Sequence, residues 1–335
     1  MTHPPERMLA ATAADGAAVL PVIGLMTTLA RYSASTSLVL LSVGLTAPQE
    51  ALLCDIAVRV GLSLHIIPMN SKPLNKATLR SKHLSHAAYA RLFLPEVLPE
   101  MNKIIWLDAD TLVLEDLCFL WNVDLGDSLV AAVSDDFIGV AELEATRRQM
   151  GDYFNSGVMV INLALWRTEQ LLPKIKVLMV SPDLICEDQS VLNIICADRV
   201  RRLDHKWNYH ASRYFEYPAE KRHVSPAILH FCGQCKPWAE NTAFGQIYLR
   251  FLPSDVRRSL LASFKHVSAL RKFDLAQRWV FGLLTGRKKY WVAFFRAVDL
   301  KRAEWRLLWR LRWPSNAIRP DPIQMAARAD LLDDR

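Results

Sequence analysis

Apolar and polar positions alternate in blocks along the first two-thirds of the chain. Met8 to Ala14, Ser37 to Val43 and Ser63 to Met69 are short apolar runs with the length of buried strands. Between them, Ala18 to Arg31 and Pro48 to Val60 read as helices. A further helix is expected over Ser85 to Leu94, leading into the apolar run Ile104 to Leu107. Later strands are expected over Leu129 to Ser134, Val158 to Leu163 and Ala227 to Phe231. Repeated strand–helix–strand units predict an α/β fold with a mainly parallel sheet covered by helices on both faces. Ligands of such sheets bind beyond the carboxyl ends of the strands. Chemistry is therefore expected just after Leu107.

There the chain reads Ile104-Ile105-Trp106-Leu107-Asp108-Ala109-Asp110-Thr111-Leu112-Val113. Two carboxylates one residue apart at a strand end repel each other and lose hydration unless a cation lies between them. Hard oxygen ligands suit Mg²⁺ or Mn²⁺, which commonly carry substrate phosphates as their remaining ligands. The pattern points to a metal-bridged phosphate or nucleotide site. An Asp-x-Asp also occurs by chance, so surface acid is the competing reading.

The tail has another character. From Arg250 to Arg319 basic residues far outnumber Asp255, Asp274, Asp299 and Glu304, whereas the preceding residues are acidic on balance although the whole chain carries +7. This asymmetry divides the chain into a catalytic region, 1–250, and an appended basic region, 251–335. Arg287-Lys288-Lys289-Tyr290-Trp291 opens a segment expected to be helical until Pro314. Trp291, Phe294, Phe295, Val298, Trp305 and Trp309 fall on one broad face, with Arg302 close to it and Leu300 and Leu307 opposite. Basic residues with Trp and Phe suit a helix lying in an anionic bilayer interface. Packing on the catalytic region and nucleic-acid binding are the alternatives, and the expectation is membrane, not nucleic acid. No run reaches the roughly 18 apolar residues of a spanning helix. Ala17 to Ala30 lacks a charged start and a cleavage site, and Pro21 and Gly24 interrupt it, so no signal peptide is expected. Cys54, Cys118, Cys186, Cys196, Cys232 and Cys235 are mostly isolated in apolar runs, which predicts reduced, buried thiols of a cytosolic protein.

Three further stretches carry chemistry. Tyr153-Phe154-Asn155-Ser156-Gly157 joins a polar turn to a strand, where Asn155 and Ser156 can present donors and acceptors. Glu187-Asp188-Gln189-Ser190-Val191-Leu192-Asn193 places an acid and an amide at the start of an apolar helix, where Asp188 also qualifies as an N-cap. His230-Phe231-Cys232-Gly233-Gln234-Cys235-Lys236-Pro237-Trp238 offers a histidine for a metal and a lysine for phosphate. Its Cys-x-x-Cys spacing admits redox or zinc readings, but Pro237 precludes a long following helix and no second cysteine pair exists.

Together with Tyr89-Ala90-Arg91-Leu92, these motifs in this order resemble glycosyltransferase family 8, most closely its bacterial lipopolysaccharide galactosyl- and glucosyltransferases; the likeness covers roughly residues 8–250. The resemblance implies a GT-A fold, a UDP-galactose or UDP-glucose donor, and transfer with retention to a saccharide acceptor, lipopolysaccharide core or another lipid-linked glycan. It implies Mn²⁺ (or Mg²⁺) on Asp108, Asp110 and His230. It places Asp15, Arg91, Ala109, Asp135, Asn155 and Ser156 at the donor, Gly233 and Lys236 at the diphosphate, and Asp188 and Gln189 by the sugar's reactive face. No motif identifies a carboxylate nucleophile. With the basic tail, the expected location is cytoplasmic, on the inner membrane face.

One departure stands out. Family members usually carry an acidic-Asn-Tyr run after the first strand, and this chain has Asp15-Gly16-Ala17-Ala18. Losing an aromatic stack weakens base binding by about 1 kcal/mol or more. Donor affinity is lower, the base is not uracil, or another aromatic substitutes. Two rival functions are a non-catalytic scaffold with a degenerate transferase fold, suggested by Ala17 and Ala18, and a phosphatase of the haloacid-dehalogenase type. The latter matches Asp108-Ala109-Asp110-Thr111 but lacks a later acidic pair.

Overall fold

The computed structural model describes residues 8–80, 85–239, 242–263, 277, 280, 281 and 283–312. Among the described residues, ten strands form two sheets: β1 (Leu9–Ala14), β2 (Ser37–Ser42), β3 (Leu64–Pro68), β4 (Lys103–Leu107), β5 (Thr111–Val113), β6 (Val130–Ser134), β7 (Phe154–Asn162), β8 (Val200–Arg202), β9 (Tyr209–His210) and β10 (Ile228–His230). The larger sheet has the order β3-β2-β1-β4-β7-β6-β8. Neighbours are parallel except that β7 runs antiparallel between β4 and β6. The strand order turns back at β1, which has β2 on one side and β4 on the other. A crevice opens at such a switch point beyond the strand ends. Asp15 follows β1 and Asp108 follows β4, so both reach it.

The flanking helices follow local rules. The helix Ala47–Val60 opens with a Thr46/Gln49 capping box and Pro48, and it stops at Gly61, whose φ of 75° is left-handed. Pro21 lies within the first turn of the helix Val19–Tyr32, where a missing N–H costs nothing. Gly24 is required by packing: a Cβ there would lie 2.7 Å from Tyr248 Cε2.

Over Ser85 to Leu94 the backbone is a 3-10 helix, His86–Phe93, followed by a short α-helix, Leu94–Val97. Two of its side chains reach outside the segment, although Arg91 Nε also donates to the Ala88 carbonyl within it. Tyr89 Oη donates to the Thr78 carbonyl, and Arg91 bonds to Ser156 and Asp108. A three-residue turn puts Ala88 and Arg91 on one side, and both line the same cavity. The core beneath joins Tyr89 and Phe93 to Trp106, Phe154 and Met159 of the sheet.

The small sheet β5-β10-β9 builds the site. β10 pairs antiparallel with β5, His230 opposite Thr111, and parallel with β9, His230 opposite His210. Phe231 N also donates to the Asp110 carbonyl at 3.0 Å. This register holds His230 against the Asp-x-Asp turn.

The chain divides into two compact units, Met1–His266 and Val267–Arg335. Residue 250 falls inside the helix Gly245–Phe251 of the first unit, and the next helix, Ser254–Ser263, pairs Asp255 with Arg59 at 2.9 Å. In the second unit the helix Lys288–Arg312 exposes Trp291, Phe294, Phe295, Trp305 and Trp309 and buries Leu307 and Leu311. Pro314, the expected stop, lies outside the described residues. No described helix is long and apolar enough to cross a membrane. The expectation of buried thiols needs correction. Only Cys196 is buried, while Cys54 and Cys235 are exposed. Cys54 sits on the solvent side of an amphipathic helix and Cys235 on a surface loop, so an apolar neighbourhood in sequence did not mean burial in space.

Candidate active site

A cavity of about 730 Å³ lies over the switch point. Its walls include Asp15, Arg91, Asp108, Ala109, Asp110, Asp135, Asn155, Ser156, Asp188, Gln189, His230, Gly233 and Lys236, which are all of the residues expected from the sequence. Ala17, Ala18, Trp106, Phe137, Glu187, His210 and Trp238 also line it.

Arg91 organises the floor. The residue is 4% exposed, and its guanidinium stacks 4.8 Å above the Trp106 ring. One terminal nitrogen donates to Asp108 Oδ1 (2.7 Å), the other to the Ser156 carbonyl (2.7 Å), and Nε lies 3.1 Å from Asp188 Oδ2. A fixed fork of five donors can meet several acceptors at once, which a lysine cannot do. Trp106 Nε1 also donates to Asp108 Oδ1 at 2.9 Å. Asp108 Oδ1 is therefore saturated, and Oδ2 is left to the site.

Asp108 Oδ2 lies 3.8 Å and Asp110 Oδ1 3.2 Å from His230 Nε2. These three residues offer ligand atoms within 4.8 Å of one another, so they could hold a metal ion. The hydrogen bonds behind them fit that use. Asn208 Nδ2 donates to Asn155 Oδ1 (2.8 Å), which turns Asn208 Oδ1 toward His230 Nδ1 at 2.8 Å. An Nδ1–H donated there leaves Nε2 with a lone pair aimed at the carboxylates. Close approach is possible only because residue 157 is glycine: a Cβ would fall 2.3 Å from His230 Cε1 and 2.9 Å from Asp108 Oδ2.

Lys236 Nζ donates to Asp110 Oδ2 and to the Phe231 carbonyl. Burial pushes the Asp110 carboxyl up, but Lys236 and His230 outweigh it and hold it well below the usual range. For His230, burial favours the neutral ring, and the Asp110 carboxylate prevails and raises it. Asp188 behaves oppositely: burial raises its carboxyl to about 6 against the pull of Arg91, helped by Asp108 and Glu187.

The neighbouring polar groups are interlocked. Gln189 accepts from Ser156 N at 3.0 Å and donates to Asp135 Oδ2 at 3.2 Å. Asn155 donates to the same Asp135 oxygen at 3.4 Å. Asp188 is not an N-cap: the helix Glu187–Cys196 has Cys186 at that position, and the Asp188 side chain is engaged with Arg91. Glu187 has a left-handed φ of 45° and accepts from Arg80 N at 2.9 Å, a strained step that sets the turn before Asp188. Asp15 caps the 3-10 turn Gly16–Ala18, accepting from Ala17 N and Ala18 N.

The Cys-x-x-Cys stretch fits neither the redox nor the zinc reading that its spacing admits. Cys232, His210 and His230 also lie within ligand distance of one another, but Cys235 is not among them. Burial pushes the Cys232 thiol up, so a soft thiolate site is disfavoured there. Asn208 and His210 carry no signal in the sequence because they lie on a 3-10 turn and a two-residue strand, too short for any periodicity.

Comparison with known proteins accords with this geometry. The profile described as "Glycosyl transferase family 8" matches residues 25–242. General stress protein A of Bacillus subtilis (strain 168) is 30% identical over 217 residues, covering 59% of this chain and 75% of that protein. Glycosyltransferase GlyE of Streptococcus pneumoniae is 32% identical over 169 residues, 47% of this chain but only 38% of GlyE. The galactosyltransferase LgtC, solved in complex with donor and acceptor sugar analogues, superposes with a TM-score of 0.63 at 26% identity, over 79% of this chain and 99% of LgtC. An active-site mutant of LgtC gives 0.66 at 25% identity. The fold is thus GT-A, and the chain belongs to glycosyltransferase family 8 and is a glycosyltransferase.

Proposed function

We propose that this protein is a metal-dependent, retaining hexosyltransferase that moves galactose or glucose from a UDP-sugar to a saccharide on a lipid carrier or lipopolysaccharide core. The observation that carries the reading is the convergence of Asp108 Oδ2, Asp110 Oδ1 and His230 Nε2 beside Lys236 in one cavity. A divalent cation bound there, Mn²⁺ or Mg²⁺, supplies charge stabilisation to the departing diphosphate. Lys236 and the backbone at Gly233, whose φ of 83° admits a close approach, receive the same diphosphate. Asp15 and Ala109 meet the nucleoside side of the donor.

Arg91, Asp135, Asn155, Ser156 and Asp188 shape the sugar pocket, and Gln189 positions the anomeric centre. Asp188 is 4% exposed and committed to Arg91, which suits holding a pocket better than attacking carbon. A double displacement needs a carboxylate close to the anomeric carbon. No motif identifies such a carboxylate and Asp188 is committed to Arg91, so attack on the same face, with the departing diphosphate taking the acceptor's proton, is the mechanism favoured.

The region 251–335 is assigned to attachment at the cytoplasmic face of an anionic membrane. The exposed Trp291, Phe295 and Trp305 among Lys288, Lys289 and Arg306 support it. A nucleotide-release assay over a panel of sugar nucleotides, with Mn²⁺ and with EDTA, tests the reading. Manganese-dependent UDP release from one UDP-hexose is expected; no turnover and no nucleotide binding would reject it in favour of a degenerate scaffold.

A further inference from the structure

Glu142, in the helix Val140–Thr146, is a buried carboxylate with no part in the chemistry above. Among the described residues no lysine, arginine or histidine pairs with it. Burying an anion without a cation beside it costs stability that only hydrogen bonds offset. All three partners of the Glu142 carboxylate are donors. Oε1 accepts from Ser190 Oγ at 2.5 Å and from Tyr153 Oη at 2.9 Å, and Oε2 accepts from Ile185 N at 3.2 Å. Ser190 Oγ itself accepts from Cys186 N at 2.9 Å, so its proton is committed to Glu142. One carboxylate thus holds two consecutive backbone N–H groups, the second through a hydroxyl. They lie just before Glu187, whose left-handed φ of 45° strains the chain, and Asp188 and Gln189 follow.

The other connections lead to the same wall. Tyr153 precedes Asn155 by two residues, and its carbonyl accepts from Asp135 N at 2.9 Å. Phe137, Ile138 and Gly139 run from Asp135 into the Glu142 helix and line the cavity, as do Cys186 to Gln189, whereas Glu142 does not. Glu142 therefore ties together, from behind, the segments that carry Asp135, Asn155 and Asp188.

We infer that Glu142 is a positioning residue, whose buried carboxylate fixes the turn that presents Asp188 and Gln189 to the donor sugar. The inference rests on the sugar-pocket assignment above and deepens it by naming what holds that pocket in place. A displacement of about 1 Å at such a point costs about 100-fold in rate. Glutamine has nearly the same shape but cannot substitute. Its amide nitrogen either sets donor against donor at Ile185 N or, turned the other way, leaves the Ser190 proton without its acceptor.

The test compares the native full chain with Glu142→Gln and Ser190→Ala in the presence of Mn²⁺. UDP affinity is measured by calorimetry, and kcat by UDP release from UDP-galactose and from UDP-glucose. Glu142→Gln is expected to lower kcat by about 10–100-fold while UDP, which lacks the sugar, binds as tightly as to the native protein. Ser190→Ala frees Cys186 N but leaves Ile185 N bonded, so its loss of kcat should be smaller. The double variant should lose less than the product of the separate factors, because both substitutions cut one chain of bonds. Native kcat in Glu142→Gln would overturn the inference, and so would equal losses of kcat and UDP affinity, the mark of a general loosening. If Glu142→Gln fails to fold, Ser190→Ala decides by the same two criteria. Those results leave the metal–diphosphate reading intact; a native protein without Mn²⁺-dependent UDP release overturns both.

Discussion

Gly157→Ala tests the metal site through a single methyl group. The residue lies in β7, next to β4, and its carbonyl accepts from Asp108 N at 2.8 Å. Its φ is not left-handed, so the backbone accepts alanine without strain. The added Cβ would lie 2.3 Å from His230 Cε1, 2.8 Å from Nδ1 and 2.9 Å from Asp108 Oδ2. Ordinary carbon contacts begin near 3.5 Å, so the imidazole must withdraw by about 1.2 Å. Retreat is opposed by the 2.8 Å bond to Asn208 and by the His210 ring at 5.5 Å. Overpacking of this kind costs about 1–3 kcal/mol. Metal–ligand distances tolerate only about 0.2 Å, so the larger effect falls on the ion. Mn²⁺ affinity is expected to fall by about 100-fold or more, with metal-dependent UDP release falling alongside and the melting temperature dropping by only a few degrees. Calorimetric Mn²⁺ titration and thermal unfolding of the metal-free variant separate the two effects. Native Mn²⁺ affinity in Gly157→Ala would show that His230 is not a ligand.

Three other outcomes are expected. Asn208→Ala frees His230 Nδ1 and should weaken Mn²⁺ by about 10–100-fold with little loss of fold, so unchanged titration would remove Asn208 from the metal's support. In the metal-free protein Asp188 holds its proton to about 6 against an ordinary 3.8, so the native state binds more protons than the unfolded chain between those values. Stability should therefore fall by about 3 kcal/mol as pH rises through that window, and Asp188→Asn should flatten the dependence; parallel urea-denaturation profiles for the two proteins would refute it. Ending the chain near residue 285 should abolish binding to anionic vesicles in a flotation assay yet spare donor hydrolysis, and undiminished flotation would remove the membrane assignment.

The sheet was legible where the hydrophobic pattern had length to speak. β1, β2 and β3 and the helices Val19–Tyr32 and Ala47–Val60 lie within a residue or so of expectation, because their apolar patterns are long enough to fix them and, for Ala47–Val60, the capping box and Gly61 agree. The stretch from Ser85 to Leu94 escaped by type, since tertiary bonds from Tyr89 and Arg91 chose a three-residue turn over an α-helical one. Asp108, Asp110 and His230 could be named from motifs, and β10 falls inside the strand expected over Ala227 to Phe231, but their convergence also depends on β5 and β9, strands of three and two residues that no pattern announces. The support from Asn208 was invisible for the same reason.

The buried guanidinium of Arg91 touches Asp108, at the proposed metal position, and Asp188 and Ser156, at the proposed sugar pocket. One cation thus shares its field between two ligand positions. A cation arriving beside Asp108 competes with Arg91 for that carboxylate, shifting the guanidinium's charge toward Asp188 and Ser156. On the proposed assignment, metal and donor sugar would be thermodynamically linked through the Arg91 side chain. Whatever factor the metal applies to sugar affinity, the sugar must return to the metal.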